Sequence, residues 1–175
     1  GGSYSFNVSS GVKPFGLALT SAGVLSGTPT VAGTYYFAAT ATDNSSAAIG
    51  GPFLGSRAYS IAIDKGSQTI NFGSLPSKPF GSAPFAVSVT TTSQLSATFT
   101  SLTPAVCTVS GSTVTIGAVG TCTIRASQAG NQNWNPASNS DQSFGVTPPT
   151  ITVSPATVPG GIFGGIYVTQ NLSAS

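Results

Sequence analysis

Tyr59-Ser60-Ile61-Ala62-Ile63-Asp64-Lys65-Gly66 places a large apolar side chain at every second position, then stops at a charged joint closed by glycine. A repeat of two is the signature of a strand with one buried face; a helical stripe would repeat every 3.6 residues. The same alternation recurs at Tyr4, Phe6 and Val8, at Tyr35 and Phe37, and at Phe85, Val87 and Val89. It returns at Val114 and Ile116, Phe144 and Val146, and Ile151 and Val153. Glycine and proline punctuate the runs at Gly27-Thr28-Pro29, Gly50-Gly51-Pro52, Gly111, Gly120, Pro148-Pro149 and Gly160-Gly161. No window carries a helical stripe. Short strands separated by frequent turn signals predict an all-β sandwich architecture.

Two joints divide the chain. Asp64-Lys65-Gly66 follows one strand and a new pattern starts at Gln68; Thr147-Pro148-Pro149 follows another. The expected segments are 1–64, 65–147 and 148–175.

Composition removes several functions. Charged residues make up 5% of the 175-residue chain, against roughly 25% in ordinary soluble proteins. The acids are Asp43, Asp64 and Asp141, and the bases Lys13, Arg57, Lys65, Lys78 and Arg125 are scattered. A net charge of +2 without a basic cluster offers no footprint for nucleic acid. No apolar run is long enough to insert in a membrane, and no basic stretch followed by an apolar one reads as a signal peptide. Without histidine there is no general base for a serine nucleophile, so an enzyme is not expected. No cofactor motif is present. The absence of Met reads as a processed product or a portion of something longer. A surface of Ser, Thr, Asn, Gln and Gly, hydrated but weakly self-repelling, suits a molecule fixed in an assembly.

Two resemblances cover almost the whole chain. Residues 1–64 carry Tyr4-Ser-Phe6, Ser10-Gly11, Pro14-Phe-Gly16-Leu17-Ala-Leu19, Gly23-Val-Leu25-Ser-Gly27-Thr28-Pro29, Ala32-Gly33-Thr-Tyr35 and Ala41-Thr-Asp43. This closely resembles the cadherin-like Ig domain of bacterial surface proteins, with Lys13 standing where that family usually has Leu. Residues 65–147 carry Gln68-Thr-Ile70-Asn-Phe72, Pro84-Phe85, Thr103-Pro-Ala-Val106-Cys107, Gly120-Thr-Cys122-Thr-Ile124 and Gln142-Ser-Phe144. This looks like a second bacterial Ig-like repeat type.

Residues 148–175 look like the opening strands of the first family, and Leu172-Ser-Ala-Ser175 written before Gly1-Gly-Ser-Tyr4-Ser-Phe6 reads as that family's uninterrupted pattern. The expectation is tandem Ig-like sandwiches, the first completed by strands from the tail of a neighbouring copy. Ile151, Val153, Ile166, Val168 and Leu172 are the expected inward residues of the donated strands. Such a head-to-tail contact is heterologous and propagates an open filament. Covalently continuous copies and separate copies joined by donor-strand insertion both give it. Continuity is favoured, because the break falls inside what resembles a Gly-Gly turn.

Four residues could carry further chemistry. Period-two reading puts Cys107 on the face of Val109 and Cys122 on that of Ile124, so both thiols point inward. A disulfide and two buried free cysteines both fit; an extracellular setting favours the bond, and the resemblance implies it. Two cysteines without histidine or neighbouring acids cannot fill a tetrahedral zinc shell. Asp43 reads either as a calcium ligand, with Asp64 the other candidate acid, or as a turn residue bonding nearby N–H groups; calcium's demand for six to eight oxygens favours the turn. Trp134, within Asn131-Gln-Asn133-Trp134-Asn135-Pro136, could stack on a sugar; the preferred reading is a loop aromatic covering the sandwich end.

The function expected from these readings is a structural repeat unit of an extracellular, cell-surface bacterial filament, sheath or adhesin stalk. Its expected partners are further copies of itself. The alternative is a carbohydrate-binding adhesive module that contacts surface glycans.

Overall fold

A computed structural model of the chain describes residues 4–43, 45, 50–150, 153–154, 160, 163 and 173–174. Every regular element among them is a β-strand. The chain gathers into two compact units. One comprises Gly1–Asn71, Val89–Thr98 and Ala126–Ser140; the other comprises Phe72–Ser88, Phe99–Arg125 and Asp141–Ser175.

In the first unit, β1 (Tyr4–Gly11), β2 (Leu17–Leu19), β3 (Leu25–Gly27), β4 (Gly33–Asp43) and β5 (Leu54–Ile63) follow one another. The long strands form an antiparallel sheet in the order β1-β4-β5. Its register sets Phe6 beside Ala41, Val8 beside Ala39, Tyr35 beside Ile61 and Phe37 beside Tyr59. The alternating apolar residues therefore share one face, as the pleat requires. Phe37 and Tyr59 stack with ring centroids 5.5 Å apart. A bulge between Val8 and Ser10 shifts the ladder before Gly11 meets Phe37.

The hairpin β2-β3 pairs Leu17 with Gly27 and Leu19 with Leu25. The Phe6 N–H donates to Ser21 O at 2.9 Å, tying the hairpin turn to β1. Glycine at position 27 has a physical cause: its φ is +129°, and a Cβ there would lie 2.2 Å from the Gly16 carbonyl oxygen.

Beyond Gly66 the strands are β6 (Ile70–Asn71), β7 (Lys78–Pro79), β8 (Phe85–Ala86), β9 (Thr90–Thr91), β10 (Thr98–Ser101), β11 (Cys107–Ser110), β12 (Thr113–Ile116), β13 (Gly120–Ser127) and β14 (Ser140–Thr147). They form sheets in the orders β10-β13-β14-β7 and β11-β12-β8, with a small β6-β9 pair. The second unit's core lies between the two larger sheets. Val114 and Ile124 are fully buried, Phe144 and Val146 nearly so, and Phe85 meets Phe144 edge-on at 5.5 Å. The alternation at Phe85, Val87 and Val89 predicts one continuous strand. The ladder holds only Phe85–Ala86 there, and Val87, though buried, donates to Ser112 O. Thr90–Thr91 leaves to pair with β6.

Finally β15 (Val153–Ser154) and β16 (Ser173–Ala174) pair antiparallel, Val153 opposite Ala174.

Candidate functional site: an apolar groove

A sheet with one apolar face is stable when a second layer covers that face. In the first unit the inner face carries Phe6 and Val8 from β1, Tyr35, Phe37 and Ala39 from β4, and Tyr59 and Ile61 from β5. The layer over it, among the described residues, includes the two-stranded β2-β3 hairpin, and no third strand joins that hairpin. Between hairpin and sheet lies a groove of about 180 Å³, lined by Phe6, Leu19, Leu25, Phe37, Tyr59 and Ile61. Phe37 is buried, but Tyr59 is 44% exposed. The second unit buries Val114 and Ile124 completely, whereas Phe6, Leu19, Leu25 and Ile61 on this groove are only half-buried. Among the described residues no charged side chain lines the groove; the Arg57 guanidinium sits 5.7 Å over the Tyr59 ring.

Of the five residues expected to be donated, Val153 lies in β15. Ile151, Ile166, Val168 and Leu172 lie outside the described residues. The β15-β16 ladder is joined to no other strand among those described.

Cys107 and Cys122 form a disulfide with Cα atoms 5.7 Å apart. The bond links β11 in one sheet to β13 in the other, and both cysteines are buried. Of the two arrangements open to the inward-facing thiols, the structure adopts the covalent one.

Trp134 is half-buried, and its ring lies over Gly66: a Cβ on that glycine would come within 2.8 Å of Cζ3. Beside it opens a cleft of about 250 Å³ bordered by Thr30, Ala32, Asp64, Asn133 and Trp134. The Asn133 amide is already engaged there: Oδ1 accepts from the Ala32 N–H and Nδ2 donates to Thr30 O.

Asp43 caps the end of β4. Its Oδ1 accepts from the Phe53 N–H at 2.7 Å, and Oδ2 accepts from the Ser45 hydroxyl. The Ser45 hydroxyl first, and the Phe53 N–H next, hold this carboxyl below the usual carboxylate range. These are turn bonds supplied by the protein itself. Asp64 is exposed, and among the described residues no three His, Cys, Asp or Glu side chains gather as a metal site would require.

Sequence reasoning missed the hairpin's part in the groove and the part played by Asn133. The leucine pair Leu19 and Leu25 was available as a signal, flanking a Gly23 turn. Asn133 gave only a local richness in asparagine, which does not specify a partner.

The chain is thus all-β, with sheets consistent with an Ig-like sandwich. Residues 1–64 match the family model described as "Putative Ig domain". No curated protein matches the chain. Among the described residues no helix is long and apolar enough to cross a membrane.

Proposed function

We propose that this chain is a structural repeat unit of an extracellular bacterial surface filament, sheath or adhesin stalk, assembled head to tail. In this reading residues 148–175 of one copy lay their strands over the groove of the next, with Ile151, Val153, Ile166, Val168 and Leu172 as the inward residues. The observation that carries the reading is the apolar inner face of β1-β4-β5 beside the β2-β3 hairpin, to which no third strand is joined among the described residues. A lone hairpin is marginal in water, and further strands would supply both its missing ladder and its missing cover. The match of residues 1–64 to an Ig-domain family supports a module that works by repetition. The contact is the same whether successive copies are fused or associate as separate chains.

Sedimentation velocity of the isolated chain at rising concentration tests it. Species should grow well beyond the 17.3 kDa monomer, and Leu25→Arg, which places a charge in the groove, should abolish the growth. Wild-type protein that stays at monomer mass throughout, or a Leu25→Arg variant that grows equally, would overturn the proposal.

A further inference from the structure

Asp64-Lys65-Gly66 has the composition of a loose joint, yet one loop engages the Lys65 carbonyl and both backbone polar groups of Gly66. The Gly66 N–H donates to Asn133 O at 2.8 Å, and the Asn135 N–H donates back to Gly66 O at 2.9 Å. Asn135 Nδ2 donates to Lys65 O at 3.3 Å, and Lys65 Nζ donates to Asn131 O at 2.8 Å. The same loop reaches a third stretch of chain. Asn133 Oδ1 accepts from the Ala32 N–H at 2.9 Å while Nδ2 donates to Thr30 O at 3.1 Å. One side chain thereby satisfies both a donor and an acceptor of the turn that precedes β4.

The loop is held in shape before it grips. Asn131 Oδ1 accepts from the N–H groups of Asn133 and Trp134, and Asn131 N–H donates to Trp134 O. Behind it, the buried Gln68 donates from Nε2 to Asn135 O and to Gln128 Oε1. The Trp134 ring closes over Gly66, the one residue type small enough to lie under it. All these groups belong to the first compact unit.

We propose that the Asn131–Asn135 loop is a clasp that locks the Asp64–Gly66 joint to the Thr30–Ala32 turn. Tension arriving through β5 then passes into the loop and the turn together, and does not fall on the linker alone. Three stretches distant in sequence open as one step, because a single residue, Asn133, bonds to two of them while belonging to the third.

Limited trypsin digestion of the full chain reads the state of the joint, since Lys65–Gly66 is a trypsin bond. Asn133→Ala removes the side-chain grip on the turn. Gly66→Ala attacks the clasp from the opposite side: the glycine's φ lies outside the left-handed region, so alanine suits the backbone and only the Trp134 ring is displaced. Each variant should speed cleavage after Lys65 by about tenfold or more, the effect of losing a pair of hydrogen bonds on a local opening equilibrium. Asn7→Ala, on the exposed face of β1, should leave the rate unchanged. Amide exchange of Ala32, Gly66 and Asn135 should accelerate together, while Val114 and Ile124 keep their protection. Equal cleavage in wild type and both variants would overturn the clasp. So would loss of protection that spreads to Val114 and Ile124, because the loop would then be supporting the whole fold and not the joint.

Discussion

At the scale of single residues, Asp43 shows how few charges this chain needs. Its carboxylate takes N–H groups from Phe53 and Ser45 and the Ser45 hydroxyl, closing the connection from β4 toward β5. Its folded-state pKa is lowered, so its contribution is present above the unfolded value and is lost as pH falls through the folded one. Asp43→Asn should therefore lower the thermal midpoint at pH 7, and the difference from wild type should shrink as pH falls below the ordinary aspartate range and through the lowered folded value. The turn role of Asp43 was legible from its place at a strand end. Asn133 was not legible, because its partners Ala32 and Thr30 lie 101 and 103 residues away. A side chain whose meaning is set by tertiary contact leaves no local pattern.

At the scale of elements, the disulfide joins β11 to β13 and so ties the two larger sheets at the level of Val114 and Ile124. The cysteines are 15 residues apart, and a loop of that length restricts the unfolded chain by about 3 kcal/mol. Replacing both with alanine should lower the urea unfolding free energy of the second unit by about that amount, while the amide protection of β4 and β5 stays as it was. Period-two reading found β1, β4, β5, β13 and β14 because each is long enough to show alternation. It could not find β6, β7 or β9, where two residues define no period and the pairing depends on where the chain returns. Lys78–Pro79 is such a case: Lys78 pairs with Val146 in parallel, with its ammonium 4.5 Å over the Phe85 ring.

At the scale of the whole molecule, the apolar groove and the scarcity of charge act together. Among the described residues Arg125 and Asp141 form one ion pair, bidentate and half exposed on neighbouring strands, a kind that adds little to stability. The all-β class was readable in the sequence, through the period-two alternation of its longer strands. What alternation could not reveal was how residues 65–71, 89–98 and 126–140 gather with the first segment in one unit. That arrangement depends on long-range pairs such as Gly66 with Trp134.

Because the groove walls are hydrocarbon and aromatic, contacts made there inherit the thermal behaviour of apolar hydration. Such burial weakens on cooling and strengthens in sulfate, while ordinary salt has few exposed charges to screen. Under the proposed head-to-tail assembly, fibres joined at this groove should hold from dilute buffer to concentrated sodium chloride, thicken in ammonium sulfate, and shorten reversibly on ice, as turbidity against temperature would record. Strong dissolution by moderate sodium chloride would mean that charge, and not oil-like contact, joins one subunit to the next.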